Sequence, residues 1–350
     1  MVFIIIISLY SLLILVLAFG LARLEELSDT KSPSTHSISV VIAVRNETTI
    51  PDLSGIIYPR DKWELIVVDD SDHPGQLSIP ALRSNAPGKK AAITTGITAA
   101  KGDLIVTTDA DCFVQPQWLT EINKAFEKPG VKMVVGGVRI DEGKSFFSKL
   151  QSLEFVSVAA TGAATLGLGF PTMCNGANLA YRREEFFKVN GFQGNERISS
   201  GDDEFLMNKF DKSSIRFLYS RDSVVSTNAA SFGNFVSQRL RWAGKWSVNT
   251  SPLTRLFAVV VWLFHVAFIA MAISVVSGFL SWKLFVILAG AKIFVETMLL
   301  IPAANFFRVK WRWISFIVLQ FVYSIYVIYV GFMSQVLLPK WKGRAVETKV

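Results

Sequence analysis

Hydrophobic residues fall in two patterns along this chain. Short apolar runs of strand length fill the region from about residue 38 to 226, and long uncharged runs of membrane length stand outside it. Ile38–Val44 is apolar apart from Ser39 and rich in β-branched residues, as expected of a strand. Two further runs end in paired acids: Glu64-Leu65-Ile66-Val67-Val68-Asp69-Asp70, and Leu104-Ile105-Val106-Thr107-Thr108-Asp109-Ala110-Asp111. Between them, Lys89 to Gly102 reads as a helix with Gly102 in the C-cap position. Strand, helix, strand, with acids at the carboxyl ends, is the pattern of an open α/β sheet, which binds ligands beyond those ends. Strand residues at i and i+2 point the same way, so Asp109 and Asp111 are expected to face one crevice.

The second half of this region adds a strand over Val131–Val138, and a turn with a short strand over Asn175–Tyr181. A short helix over Arg182–Val189 is stopped by Asn190-Gly191. Ile198-Ser199-Ser200-Gly201-Asp202-Asp203-Glu204 then leads into an apolar-periodic run and marks a helix start. Acids in a first helical turn are favourable against the helix dipole, which by itself accounts for all three. A functional acid there would be rigidly held and partly exposed, and the segment alone leaves both readings open.

Val2 to Leu21 carries no charge and is long enough to span a bilayer. No Lys or Arg precedes it, so a retained helix fits better than a signal peptide. Arg23 follows it, which places the next domain in the cytoplasm by the positive-inside rule. The chain is apolar again over 253–338, as about three spans near Leu256–Leu280, Leu284–Asn305 and Ile314–Leu338. The cluster Arg308, Lys310, Arg312 lies before the last of these, and Lys340, Lys342, Arg344 and Lys349 lie after it. Two basic segments on either side of one span cannot both obey the rule, so one apolar segment is expected to be re-entrant or interfacial; the sequence does not say which. Lys292 and Glu296, four apart within the middle span, read as a self-neutralising pair facing other helices. The organisation expected is a membrane helix over 1–22, a polar linker over 23–36, an α/β domain over 37–230, an interfacial segment over 231–252, about three membrane helices over 253–338 and a basic tail over 339–350.

The net charge of +8 concentrates around the membrane segments, where attraction to anionic headgroups explains it. No nucleic-acid-binding signature is present, and none is expected as partner. Two cysteines, Cys112 and Cys174, and three scattered histidines build neither a disulfide framework nor a zinc site. The carboxylates suit a hard divalent cation instead, since Mg²⁺ typically takes one or two carboxylates plus phosphate oxygens. Just before the C-terminal spans, Gln238-Arg239-Leu240-Arg241-Trp242 reads as an interfacial amphipathic helix. Its Arg suits phosphate and its Trp suits a sugar or base wall.

In this order the motifs resemble those of a membrane-bound family 2 glycosyltransferase of GT-A fold, a Rossmann-like nucleotide-sugar-binding domain. The resemblance covers about Ser37 to Trp246. Ala43-Val44-Arg45-Asn46-Glu47 is similar to the family's first nucleotide-contacting segment, with Ala43 in place of the usual Pro. Asp70 matches the acid that contacts the base, and Lys89 the lysine near the donor, while Thr94 stands where the family has Asn. Asp109-Ala110-Asp111 matches the DxD element, Gly201-Asp202-Asp203 the Glu-Asp pair, and Gln238, Arg241 and Trp242 the QxxRW element. The resemblance implies donor binding by Ala43, Arg45, Glu47, Asp70, Lys89, Asp109, Gln238, Arg241 and Trp242. It implies metal ligation by Asp109 and Asp111, with Mg²⁺ or Mn²⁺ as cofactor. Asp203 is the implied catalytic base, with Asp202 and Trp242 on the acceptor side. The activity implied is inverting, metal-dependent transfer of a hexosyl group from a nucleotide-diphosphate sugar, a UDP-sugar by preference, to a membrane lipid or glycan acceptor at the cytoplasmic face. A processive polysaccharide synthase of the same family is the first alternative, and a non-catalytic nucleotide-sugar-sensing membrane protein the second.

Overall fold

The computed structural model describes residues 1–26, 35–73, 77–196, 198, 201–244, 251–337, 340–341 and 344–345. Most of the 23–36 linker, Trp246 and most of the 339–350 tail therefore lie outside the described residues.

Three parallel strands form the centre of the soluble domain: β1 (Ile38–Val44) lies between β2 (Trp63–Asp69) and β4 (Leu104–Thr107). The short β3 (Leu82–Arg83) extends the sheet beyond β2. On the other side the sheet continues from β4 to β8 (Leu179–Arg182), β6 (Met133–Gly136) and β9 (Ile215–Leu218), with β8 antiparallel to both neighbours. The order is β3-β2-β1-β4-β8-β6-β9. Alternation along β1 divides the core. Ile38, Val40, Ile42 and Val44 join the cluster containing Trp118, Leu119 and Ile122 of α3 (Trp118–Glu127). Val41 faces the other way, with Ile93 and Ile97 of α2 (Lys89–Ala99). Both faces are covered, which is why this strand is apolar at nearly every position. A smaller sheet of β5 (Cys112–Phe113), β7 (Val138–Ile140) and β10 (Val225–Thr227) lies beside the large one.

Two local expectations are corrected. The helix ends at Ala99 with Ala100 as its C-cap, so Gly102 is not the cap. Gly102 is instead a point of close approach: a Cβ there would lie 2.6 Å from the backbone nitrogen of Ser39. β4 stops at Thr107, so Asp109 and Asp111 do not share a strand face. They occupy the turn that follows, closed by Cys112 N–H donating to Asp109 O at 3.2 Å.

Among the described residues, four helices are long and apolar enough to cross a membrane: α1 (Val2–Ala22), α8 (Pro252–Val276), α9 (Trp282–Phe306) and α10 (Trp313–Val336). They join the soluble domain through α4 (Phe146–Gly167) and α7 (Phe232–Gly244). α1 and α4 cross closely at Gly20, where a Cβ would come 2.4 Å from the carbonyl of Ala164; only a small residue permits that approach. Lys292 and Glu296 pair at 2.7 Å as expected. Tyr10 donates to Glu296 at 2.6 Å, while Gln320 accepts from Lys292 and donates to Glu296, so α1, α9 and α10 share one buried polar cluster.

Candidate active site

Beyond the carboxyl ends of the central strands the chain builds a charged crevice. Asp70 follows β2, and both of its carboxylate oxygens lie 3.0 Å from Gly88 N. Gly88 has φ +111°, a conformation that favours glycine, and it starts α2. Asp70 thereby fixes the first turn of α2 and with it Lys89. The Lys89 ammonium reaches Asp109 Oδ1 at 2.7 Å and Asp202 Oδ2 at 3.4 Å. Burial alone would lower the Lys89 pKa; Asp109 and Asp202 outweigh it and hold the amine above its ordinary value. Burial would raise Asp202, and Lys89 with Lys90 outweighs it, so that carboxyl is held below its ordinary value.

Asp202 and Asp203 open α6 (Asp202–Met207), after Gly201 in the left-handed region with φ +74°. The two acids diverge. Asp202 turns to Lys89, while Asp203 accepts from Gly176 N at 3.0 Å and from Glu204 N at 2.8 Å. Gly176 is where these groups meet: a Cβ there would lie 3.2 Å from Asp202 Oδ2, 3.6 Å from Lys89 Nζ and 3.7 Å from Asp203 Cβ. Arg241 of α7 sits in the field of the same acids. Burial lowers its pKa, and Asp202, Asp109 and Asp203 partly offset that.

Asp109 and Asp111 each offer a carboxylate oxygen, and these atoms with the Cys112 sulfur all lie within 4.8 Å of one another. The oxygens fit a hard divalent cation such as Mg²⁺ or Mn²⁺, which takes a few protein oxygens and completes its shell with phosphate and water. The thiol does not: burial and then the charges of Asp109 and Asp111 push its pKa up, so it stays protonated, and Cys112 packs in the core.

The remaining expected residues fall into two groups. Arg45 is a buried brace, donating to Asp70 O at 2.7 Å and pairing with Asp72 at 2.5 Å. Ala43 pairs with Val68 in the β1–β2 register, and Glu47 is half-buried in the turn after β1. Gln238 and Trp242 contact neither Lys89 nor Asp109 in the described hydrogen bonds and ring contacts. Gln238 accepts from Arg239 Nη1 at 2.7 Å, and Trp242 lies 5.9 Å from the Phe155 ring.

Trp242 lines a cavity of about 670 Å³ that reaches Asp203 and Glu204 and runs between α4, α7, α8 and α10. Its walls are mainly apolar, with Phe155, Val158, Ala159, Val259 and Trp262 among them. Into this wall the fold sets an ion pair that motif reading missed. Arg239 Nη2 lies 2.6 Å from Glu154 Oε2, both residues are about 5% exposed, and the guanidinium stacks 4.3 Å from Trp242. The cue in the sequence was a lone acid in the apolar stretch Leu153-Glu154-Phe155-Val156. Gly176 carried no such cue, because only the fold brings it to the crevice.

A known family matches most of the chain: the sequence model of glycosyl transferase family 21 covers residues 73–349. The chain belongs to that family. The motif order had pointed to family 2, which this match does not show; what the two readings share is a GT-A-type glycosyltransferase. Among relatives, the glycosyltransferase AglE of Haloferax volcanii is 26% identical over 259 residues, covering 65% of this chain and 79% of that protein. An undecaprenyl-phosphate 4-deoxy-4-formamido-L-arabinose transferase of Aeromonas hydrophila is 32% identical over 134 residues, covering 33% of this chain and 40% of that protein. Among solved structures, the mannosyltransferase PcManGT from Pyrobaculum calidifontis, in complex with GDP-Man and Mn²⁺, aligns over 95% of this chain and 96% of its own. Its TM-score is 0.54 at 17% identity, and at that identity the likeness speaks for the fold alone. The chain is a glycosyltransferase with a mixed α/β domain of GT-A type and, among the described residues, four apolar helices of membrane length.

Proposed function

We propose that this glycosyltransferase moves a sugar, with inversion, from a nucleoside-diphosphate sugar to the hydroxyl of a membrane lipid at the cytoplasmic face. A uridine nucleotide is the expected donor. The observation that carries the reading is the position of Asp203. It stands between the Lys89–Asp109–Asp202 cluster on one side and the apolar cavity on the other. A charged crevice suits a diphosphate, and an apolar channel between membrane helices suits a lipid tail. Relatives named as undecaprenyl-phosphate sugar transferases support a lipid acceptor. Arg23 behind α1, and Arg308, Lys310 and Arg312 just after the C-terminal end of α9, support a cytoplasmic domain.

The residues divide the work as follows. Lys89 and Arg241 supply positive charge where the leaving diphosphate gains negative charge. A divalent cation held by Asp109 and Asp111 would add to that stabilisation. Asp203 takes the proton of the attacking hydroxyl, and two backbone donors hold its carboxylate in place. Trp242 walls the acceptor path. Asp70 and Arg45 shape the base end of the crevice.

Purified enzyme incubated with a panel of nucleotide sugars and total lipid extract tests this by product mass. One added hexose on a lipid is the expected result. A long polymer would indicate a processive synthase, and donor binding without release of nucleoside diphosphate would indicate a sensor; either outcome removes the proposal.

A further inference from the structure

Helix α10 meets the soluble side of the molecule at both ends. At its start, Arg312 pairs with Glu142 of the soluble domain at 2.7 Å, and Lys310 N–H donates to the same carboxylate at 3.1 Å. This is also where α9 ends, with Phe306 stacked 4.2 Å from Tyr219. At the other end, Ser334 and Gln335 line the same cavity as Asp203 and Glu204. There α10 runs beside the N-terminal half of α8: Trp262 donates to Ile328 O at 3.4 Å, and Arg255 lines the same cavity as Gln335. The α8 start is itself fixed to the soluble domain, Thr254 donating to Thr172 O at 3.4 Å. The strand at Lys340–Trp341 then packs on α7. Between the ends, Tyr326 lies 5.5 Å from Phe235 of α7.

The other three membrane helices behave differently. α1 and α9 reach the soluble domain at their C-terminal ends, and α8 at its N-terminal end. Their far ends pack on one another through Ile7, Phe268, Met271 and Leu288. A helix of 24 residues is about 36 Å long, and one that crossed a hydrocarbon core of about 30 Å would leave its second end on the opposite side. The second end of α10 instead lines the cavity that Asp203 also lines, and the strand that follows it packs on α7.

We propose that α10 does not cross the membrane: it lies in the leaflet that faces the catalytic domain, so the described helices cross three times and the strand at Lys340–Trp341 lies on the catalytic side. The partner of its outer face is the lipid of that leaflet. Ile314, Ile317, Phe321, Ile325, Phe332 and Val336 are all exposed and fall on one helical stripe along the whole element. Cations flank both ends, Arg308, Lys310 and Arg312 before it and Lys340, Lys342, Arg344 and Lys349 after it, as suits an interfacial helix over anionic headgroups. This arrangement also removes the charge conflict, since both basic segments now sit on one side. α10 then roofs the cavity, and a lipid from that same leaflet has the direct path to Asp203.

The test uses the full chain in sealed membrane vesicles, with one epitope after Val350 and, in a separate chain, one at Gly278 in the α8–α9 turn. Protease protection of each epitope is read against an antibody to the catalytic domain. The expected result is that the epitope after Val350 shares the fate of the catalytic domain and the one at Gly278 does not. An epitope after Val350 that shares the fate of the one at Gly278, opposite to that of the catalytic domain, would overturn the proposal. The readout is relative, so it stands whichever side the catalytic domain faces and whether or not transfer activity is found.

Discussion

Asp203→Asn separates the role of this carboxylate in holding the fold from its role in chemistry. Asp203 presents two acceptor oxygens to two converging backbone donors, Gly176 N at 3.0 Å and Glu204 N at 2.8 Å. Asparagine keeps one acceptor and turns an NH₂ group toward the other donor. A buried donor left unmatched costs roughly 1–3 kcal/mol, and the lost charge at the start of α6 adds about 0.3–1 kcal/mol. That is a fraction of the roughly 5–15 kcal/mol that typically holds a domain together, so the variant should fold with a lowered unfolding midpoint. Loss of a general base removes about 10²–10⁴-fold in rate, or roughly 3–5 kcal/mol of transition-state stabilisation. Donor binding should change little, because Lys89 holds Asp109 and Asp202 rather than Asp203. Release of nucleoside diphosphate in the presence of acceptor measures the rate, and calorimetric titration of the nucleoside diphosphate measures binding. A variant that transfers sugar at close to the wild-type rate would refute the base assignment. One that loses donor binding in step with rate would move Asp203 to the donor side.

Other perturbations probe the surrounding parts. Asp111→Ala should abolish the dependence of nucleoside-diphosphate binding on Mg²⁺ or Mn²⁺; an unchanged metal titration removes Asp111 from the site. Glu154→Gln alone strands a buried guanidinium and should destabilise by about 3–5 kcal/mol, whereas Glu154→Gln with Arg239→Met removes both charges and should be close to neutral. Equal losses in unfolding midpoint for the single and double variants would contradict the buried pair. Asp202 has a folded pKa below its ordinary 3.8, so its contribution to stability is present above that pH and is lost as pH falls through the lower folded value. Lys89 has a raised folded pKa, so its contribution is present below 10.5 and is lost as pH rises through the higher value. Lys89→Met should therefore move the acid limb of the thermal stability profile upward, since burial then acts on Asp202 with less opposition; an unmoved limb would show that Lys89 does not hold Asp202 ionised.

Elements whose physics is local were legible in the order of residues alone. β1 is legible because burial on both faces selects apolar residues at nearly every position, and the membrane-length helices because a bilayer demands about twenty apolar residues. The start of α6 was legible from acids that suit a helix dipole. The acids themselves were visible, but their partners were not. That Asp202 turns to Lys89 while Asp203 turns to Gly176 depends on segments 113 and 27 residues away in the chain, and no periodicity encodes such a meeting. The same holds for Glu154 and Arg239, 85 residues apart, and for Asp109 and Asp111, which a turn rather than a pleat draws together. Hydropathy gave α10 the signature of a span, because lipid contact along one side and protein contact along the other both select apolar residues. Only the packing of its two ends beside the catalytic domain distinguishes a helix that lies in a leaflet from one that crosses it.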